Sequence, residues 1–380
     1  MGCVISTCGT SGLTNIESRG KRGEFSVLKL ANKTKEELTP EELSYLDGLL
    51  GLLREESMTW DAAAAKRGSA ELNSLLAYYD NQVLKGAANQ HYFISSDTYV
   101  GKECAQIAAD WLTLQGDDFH AEVHTVPGLN TNDYFSFKEA MSELAKWCAE
   151  FIEPMRADPR YVVAFNLNGG FKSVQGFMQT LGMFYADETF YQFQGTDALL
   201  RIPRLPIDIN TEVRIEIERH FDAYRKLSIG LPVTSAEVEG IHESMLFTDG
   251  KDYTLSAWGE IFWSRFKRMF YEESFKKPPY IDIRIKSSFL KDLKQFEQDK
   301  QALYSVNERL DDLARYLLTK VKYNPKRLYV HQIISKFKEA PDCTDEFYAW
   351  SHCGAWRVFC IIDKSSYIAE LHRLVPHPKG

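Results

Sequence analysis

Long apolar runs are missing from this 380-residue chain, and none approaches the length that a helix needs to cross a membrane. No secretion signal is visible either, so we expect a cytoplasmic protein with no membrane partner. The seven cysteines are dispersed and lack the paired spacing of a zinc site. They indicate reduced thiols and no bound metal. Gly2 and Ser6 fit a myristoylation pattern, but we favour a first buried strand at this point.

The charge is unevenly distributed along the chain, whose formal net value is −8. Residues 277–380 hold 18 Lys and Arg against 13 Asp and Glu, whereas the rest of the chain is strongly acidic. A basic segment on an acidic body suggests an anionic partner for that segment alone, although simple solubility also explains it.

Predicted strands and helices alternate over residues 1–208. This order predicts a Rossmann-like α/β domain with a doubly wound parallel sheet, whose ligand loops lie at the carboxyl ends of the strands. We expect a helix over 60–85, a helix over 174–181 that Gly182 closes, and a final hairpin. The predicted strands are 3–7, 91–95, 121–126, 161–165, 188–193 and 199–202.

Polar residues and glycines follow three of these strands. Glycine lets a backbone approach a ligand closely, and a helix N-terminus with a lysine suits a phosphate. Helix capping explains any one of these loops, but the three together favour a binding pocket. The candidate ligand residues are Thr10, Ser11, Thr14, Asn15, Ser96, Thr98, Asn168, Gly169, Gly170 and Lys172.

Residues 1–208 resemble the CARF domains, the sensors of CRISPR defence. The resemblance rests on these motifs and on Leu205-Pro206 after the hairpin. The resemblance implies a homodimer that binds a cyclic oligoadenylate across its two-fold axis, with cyclic tetra-adenylate as the activating ligand and no other cofactor. Some members also cleave the ring, and Ser11 and Lys172 match the pair that they use. Phosphate binding without cleavage is the alternative for both residues.

The sequence of residues 209–276 predicts helices around a short hairpin, whose turn lies at Asp249-Gly250. A long helix is predicted to follow from Ser256. This order is typical of a small winged-helix-like module. Its charge is not strongly basic, so a linker or dimerisation role is favoured over DNA recognition.

Pro278-Pro279 marks the boundary of the last segment, residues 277–380. Its sequence predicts a strand, two helices and an antiparallel meander, which together form an α+β domain. This segment resembles the RelE toxins, which cut messenger RNA in the ribosomal A site. The resemblance is carried by the helices over 289–319, the Gly354-Ala355-Trp356-Arg357 step and the last strand with His372-Arg373.

The resemblance implies metal-independent attack of an RNA 2′-hydroxyl on the adjacent phosphate. Arg357 is the first candidate to stabilise that phosphate and Arg373 the second, with a structural salt bridge as the alternative. The family's lysines are missing from residues 347–352, and its terminal tyrosine is missing as well. We therefore consider His352 and His372 as replacement acid or base.

The combined hypothesis is an ancillary effector of type III CRISPR defence. Cyclic tetra-adenylate would activate a RelE-like endoribonuclease that cleaves messenger RNA on ribosomes and arrests translation. The alternatives are a transcription factor controlled by the ligand and a ring nuclease that degrades it.

Overall fold

The computed structural model describes residues 1–20, 24–129, 134–170, 172–193, 198–205, 211–248, 250–333, 340–350 and 355–376. It divides into an N-terminal unit, residues 1–208, and a C-terminal unit, residues 209–380. The segments predicted as a winged-helix-like module and a RelE-like domain lie together in the C-terminal unit, and the three-module division stays a prediction. Across these described ranges, no helix is long and apolar enough to span a membrane.

The N-terminal unit is built on a six-stranded sheet with the order β3-β2-β1-β4-β5-β6. Its neighbours pair in parallel, except that β6 runs antiparallel to β5. This parallel-rich sheet is compatible with the predicted Rossmann-like domain. The strand order reverses between β1 and β4, so a ligand site is expected at their carboxyl ends. The strands are Gly2–Thr7 (β1), Gln90–Ser96 (β2), His120–Val126 (β3), Val162–Asn166 (β4), Glu188–Gln192 (β5) and Leu199–Pro203 (β6).

Helices cover both faces of this sheet. Val4, Phe93 and Ala164 pack against the helices of one face. Cys3, Ile5 and Phe165 point to the opposite face by strand alternation, and they are also fully buried. The helices are Ser11–Arg19 (α1), Val27–Leu30 (α2), Pro40–Ser57 (α3), Ala62–Gly68 (α4), Ala70–Tyr78 (α5), Tyr99–Thr113 (α6), Tyr134–Trp147 (α7), Glu153–Ala157 (α8) and Lys172–Tyr185 (α9), with 3₁₀ turns at Lys35–Glu37 and Val83–Gly86 and a π-turn at Cys148–Ile152.

Two predicted helix boundaries in this unit are wrong. The single helix expected over 60–85 breaks at Ser69, whose hydroxyl accepts the backbone N–H of Leu72 at 3.3 Å and caps α5. Helix α9 continues through Gly182, where the sequence predicted its end. A Cβ at Gly182 would collide with the side chain of Thr189 on β5. The glycine therefore permits close helix–sheet packing and does not terminate the helix.

The C-terminal unit contains a helical part followed by a second sheet. Its helical part has the predicted order of helices, a short hairpin and a long helix. The sheet has the order β10-β11-β12-β13-β9, with β9 parallel to β13 and the other neighbours antiparallel. The elements are Thr211–Arg219 (α10), Phe221–Ser228 (α11), Ser235–Val238 (α12), Leu246–Thr248 (β7), Tyr253–Leu255 (β8), Ala257–Glu273 (α13), Ile283–Ile285 (β9), Ser287–Leu293 (α14), Lys300–Leu318 (α15), His331–Gln332 (β10), Asp345–Trp350 (β11), Trp356–Asp363 (β12) and Ile368–Pro376 (β13), with 3₁₀ turns at Glu243–Met245 and Lys294–Phe296.

One face of this second sheet packs on α14 and α15. Phe347 and Ala349 of β11 belong to that core, together with Val358 of β12. Side chains alternate along a strand, so Glu346 and Tyr348 lie on the opposite face. Arg357 pairs with Tyr348 in register and therefore shares this second face.

A buried ion pair joins the helical part to α15. Arg225 and Asp311 have side chains only 1% and 4% exposed, and Arg225 Nε donates to Asp311 Oδ1 at 2.7 Å. The Tyr271 hydroxyl donates to the other Asp311 oxygen. The amide of Asn307 donates to the carbonyl oxygens of Tyr271 and Ser274 at 3.0 and 2.9 Å. Residues before and after position 276 thus share one buried polar network.

Acidification should destabilise the N-terminal unit through His91. Desolvation lowers the pKa of this buried ring to about 4, whereas an unfolded histidine titrates near about 6.5. Between these two pKa values the unfolded chain binds a proton at His91 and the folded chain does not. The free energy of unfolding therefore falls as the pH drops from 6.5 toward 4. The contribution is about 2 kcal/mol at pH 5. Denaturant unfolding at pH 7 and pH 5 measures it.

His91→Gln is the matched variant for this measurement. His91 Nε2 lies 3.2 Å from the Gly86 carbonyl oxygen, and a glutamine amide can donate to the same oxygen. The variant should lose stability between pH 7 and pH 5 by about 2 kcal/mol less than the natural chain. An identical pH dependence in both proteins would assign the effect to other groups.

Candidate functional site

A cavity of about 340 Å³ lies at the carboxyl ends of β1, β2 and β4, and we call it the switch-point cavity. Its position is the one that the reversal of strand order predicts. The structure brings most of the predicted ligand residues together there. Those that line it are Thr10, Ser11, Thr14, Ser96, Thr98, Asn168, Gly169 and Gly170.

A buried carboxylate forms part of this cavity wall, and the sequence interpretation missed it. Glu71 on α5 is only 2% exposed. Its Oε1 accepts the Gly9 N–H at 2.6 Å, and its Oε2 accepts the hydroxyls of Ser69 and Ser11 at 2.7 and 3.2 Å. A Cβ at Gly169 would collide with this carboxylate, so the loop needs glycine there.

The Glu71 carboxylate affects which chemical groups of a ligand bind favourably in the switch-point cavity. A buried negative charge repels phosphate and attracts hydrogen-bond donors. The Glu71 carboxylate therefore favours donor groups of a ligand near this wall, and phosphate binding at Gly169 and Gly170 stays a prediction.

Several predicted ligand residues also stabilise local structure. The Ser96 and Thr98 hydroxyls lie 2.7 Å apart, and Thr98 accepts the Gly101 N–H at 3.2 Å to cap α6. Asn15 donates to the Arg67 carbonyl oxygen at 3.1 Å, at the end of α4, and it does not line the cavity. Capping and ligand contact are therefore compatible for Ser96 and Thr98, whereas Asn15 has a structural contact.

A second, larger cavity of about 1160 Å³, which we call the amide cleft, lies beside α9. It shares Ala70 and Asn168 with the switch-point cavity. The Asn168 side chain stabilises the wall between the two cavities. Its amide nitrogen donates to the Ala70 carbonyl oxygen at 3.1 Å, and its amide oxygen accepts the Gln192 backbone N–H at 2.9 Å. Other lining residues are Asn73, Leu167, Lys172, Gln175, Gly176, Gln179, Met183, Tyr191, Gln192, Phe193 and Ile202.

Lys172 lies in the amide cleft and is exposed, so its ammonium group is accessible to a phosphate there. Ser11 lines the switch-point cavity instead. The two residues that the CARF resemblance pairs for ring cleavage thus line adjacent cavities.

The thiols near the switch-point cavity are protonated at neutral pH. Burial, with a smaller contribution from Glu71, raises the pKa of the Cys8 thiol well above its usual value. Burial raises the pKa of Cys104 to about 12, again with help from Glu71. A neutral thiol is a poor nucleophile, so neither cysteine fits covalent catalysis.

The second sheet carries a cluster of reactive side chains on the face away from α14 and α15. We call His331, Glu346, Tyr348 and Arg357 the sheet-face cluster. Arg357, 9% exposed, donates through Nη1 to the Glu346 carboxylate and lies 3.1 Å from His331 Nε2. The same His331 nitrogen lies 2.9 Å from Glu346 Oε1. The Arg357 guanidinium carbon sits 4.7 Å from the centre of the Tyr348 ring.

This geometry allows His331 to exchange a proton. Its Nδ1 donates to the Tyr329 carbonyl oxygen at 2.9 Å, which leaves Nε2 directed at Arg357 and Glu346. A neutral Nε2 accepts from Arg357, and a protonated Nε2 donates to Glu346. A carboxylate and an imidazole can serve as base and acid, and a neighbouring guanidinium can stabilise a developing negative charge, so the cluster has the groups for acid–base chemistry.

The other predicted catalytic residues have different surroundings. Arg373 donates to both Asp292 oxygens at 2.6 and 3.2 Å and thereby fastens β13 to α14. His372 Nε2 lies 2.7 Å from Glu370 Oε1, and Glu370 also pairs with Lys286 at 3.1 Å. His352, like Gly354, lies outside the described residues. The structure therefore brings Arg357 together with His331, which the sequence interpretation had not chosen.

The comparisons with known proteins concern the N-terminal unit. Residues 66–205 match the family model described as CRISPR-associated protein (Cas_APE2256). The matched segment is just over a third of the chain and includes Glu71, the loop after β2 and the loop after β4. No curated protein matched the chain. The family match supports a CRISPR-associated protein and suggests an ancillary role in type III defence.

Proposed function

We propose that this chain is a ligand-controlled endoribonuclease of type III CRISPR defence. Cyclic tetra-adenylate binds a homodimer of the N-terminal unit, and the C-terminal unit then cleaves messenger RNA in the ribosomal A site. The observation that supports the nuclease most strongly is the contact of Arg357 with both Glu346 and His331. The family match over residues 66–205 supports the CRISPR context.

The sheet-face cluster supplies each role that RNA cleavage needs. The 2′-oxygen attacks the adjacent phosphorus while its proton passes to the Glu346 carboxylate. The bond from phosphorus to the 5′-oxygen breaks, and His331 Nε2 gives its proton to that oxygen. The products are a 2′,3′-cyclic phosphate and a free 5′-hydroxyl. Arg357 stabilises the negative charge on the pentavalent phosphate.

The two cavities of the N-terminal unit divide the ligand between them in this proposal. Hydroxyls and the Glu71 carboxylate of the switch-point cavity bind ribose or the amino group of adenine. Lys172 in the amide cleft binds a phosphate of the ring. Carboxylate and lysine thus contact different chemical groups of one ligand.

The proposal is tested by cleavage of messenger RNA on programmed ribosomes, with and without cyclic tetra-adenylate and beside naked RNA. Cuts in the A-site codon are expected only with ribosome and ligand together. Tight ligand binding without cleavage in any condition would contradict the nuclease. Ligand-dependent retention of specific DNA would then favour the transcription factor.

Lys172→Ala should weaken binding of cyclic tetra-adenylate about 10- to 100-fold, because it removes a charge-assisted phosphate contact. Isothermal titration calorimetry measures the change. Lys102→Ala is the matched control, since Lys102 is an exposed lysine on α6 that lines neither cavity. Equal affinities of the two variants would exclude Lys172 from phosphate binding.

Ring cleavage is a second candidate function, favoured by the bond from the Ser11 hydroxyl to the buried Glu71 carboxylate. A carboxylate in this position can accept a proton from the hydroxyl. Turnover of cyclic tetra-adenylate that stops in Ser11→Ala would support this activity. Unchanged turnover in that variant would exclude Ser11.

A further inference from the structure

The segment between α15 and β10 carries strained backbone. Lys320, Val321 and Tyr329 have φ angles of 54°, 61° and 49°. A β-branched residue such as Val321 rarely adopts positive φ, and a bulky aromatic does so only at an energetic cost. Such conformations persist only where surrounding contacts hold them.

Side chains of α15 and of the segment itself supply these contacts. Arg327 donates through Nε and Nη2 to the two oxygens of the buried Asp312 at 2.9 and 2.8 Å. The Tyr323 hydroxyl donates to Asp312 Oδ1 at 3.1 Å. The Asn324 side chain pairs with the Val330 backbone in both directions, at 2.9 and 2.8 Å. The segment is therefore held in one conformation on both sides of Tyr329.

The segment presents Tyr329 beside the sheet-face cluster. Tyr329 is 48% exposed. Its ring lies 5.8 Å from that of Tyr348 at an interplanar angle of 26°, and 4.7 Å from the His331 ring. Its carbonyl oxygen accepts the Nδ1 proton of His331. A strained, half-exposed aromatic is thus fixed next to the Arg357–Glu346 pair.

We propose that Tyr329 is a stacking subsite for an unpaired nucleobase of the RNA strand, and this inference rests on the proposed nuclease function. Exposed aromatic rings on a sheet face beside a cation are a common platform for single-stranded RNA, and each stacked base contributes about 1–3 kcal/mol. A base in a duplex is already stacked on both sides, so the subsite selects single-stranded RNA. Stacking here sets the position of the neighbouring phosphate over Arg357.

Tyr329→Gly tests the subsite without endangering the fold, because glycine accepts positive φ freely. The variant should keep the natural thermal midpoint within about 3 °C. It should bind a short single-stranded RNA with 2′-O-methyl riboses about 5- to 100-fold more weakly. Tyr329→Phe, which keeps the ring, should bind within about 2-fold of the natural chain. Fluorescence anisotropy with the full-length protein measures each dissociation constant.

The methylated RNA cannot be cut, which separates this inference from the proposed function. Equal RNA affinity of the glycine variant and the natural chain would overturn the stacking subsite even if cleavage is observed. RNA binding that depends on the Tyr329 aromatic ring, without cleavage of messenger RNA on programmed ribosomes with cyclic tetra-adenylate, would retain the subsite and contradict the nuclease. In an active enzyme, the glycine variant should show a raised KM and an unchanged pH profile of kcat, since His331 and Glu346 stay in place.

Discussion

Arg357→Lys is expected to lower messenger RNA cleavage by at least about 100-fold while the chain stays folded. Lysine keeps a positive charge beside the largely buried Glu346 carboxylate, so the substitution does not leave that charge alone. It removes the planar donors that grip a phosphate through two hydrogen bonds. Single-turnover cleavage on programmed ribosomes with cyclic tetra-adenylate measures the rate, and thermal unfolding verifies the fold.

Arg373→Lys is the matched control for this experiment. Arg373 lies on the neighbouring strand β13, but its guanidinium is bound to Asp292 of α14. Its replacement should lower stability and leave the cleavage rate within about 3-fold. The opposite result, with activity lost at Arg373 and kept at Arg357, would move the reaction centre to the surroundings of His372 and Arg373.

The roles of His331 and Glu346 can be separated by the pH dependence of the same reaction. If Glu346 accepts the proton and His331 donates it, each group contributes one limb of the pH–rate profile. Glu346→Gln should remove the acidic limb and His331→Gln the alkaline limb. A profile that keeps both limbs in both variants would contradict the assignment of acid and base.

The architecture of the N-terminal unit followed from local patterns. Short apolar segments that alternate with segments of helical periodicity predict a parallel sheet. In such a sheet a ligand site is expected where the strand order reverses, at the carboxyl ends of β1 and β4. The end of α9 was predicted wrongly, because glycine serves both as a helix terminator and as a contact point. Only the position of Thr189 against Gly182 distinguishes the two uses.

The reactive residues were harder to predict because they depend on long-range pairing. His331, Glu346 and Arg357 come from three different strands, and only the antiparallel register places them on one face. One local signal was present, since Glu346 and Tyr348 alternate with apolar Phe347 and Ala349. Glu71 gave no such signal, because a glutamate in the first turn of a helix is usually a surface residue.

Arg225→Met should destabilise the C-terminal unit by about 3–5 kcal/mol. The substitution leaves Asp311 negatively charged and buried, with only the Tyr271 hydroxyl as a donor among the contacts described above. Adding Asp311→Leu removes the unpaired charge and should recover most of the loss. Urea unfolding of the natural chain, both single variants and the double variant gives the coupling energy. Strictly additive losses would contradict a buried pair.

The same ion pair determines where the chain can be divided to test ligand control. A cut after residue 276 separates the RelE-like segment as the sequence predicts it, but it removes Arg225 and Tyr271 from Asp311. We therefore expect residues 277–380 alone to unfold or aggregate. A cut after residue 208 keeps the network complete, and residues 209–380 should unfold cooperatively in urea. Cleavage by this fragment without ligand would mean that the N-terminal unit restrains the nuclease. If the full chain cleaves with ligand, a folded but inactive fragment would mean that the N-terminal unit activates the nuclease. A stable, folded fragment of residues 277–380 would contradict the importance of the Arg225–Asp311 pair.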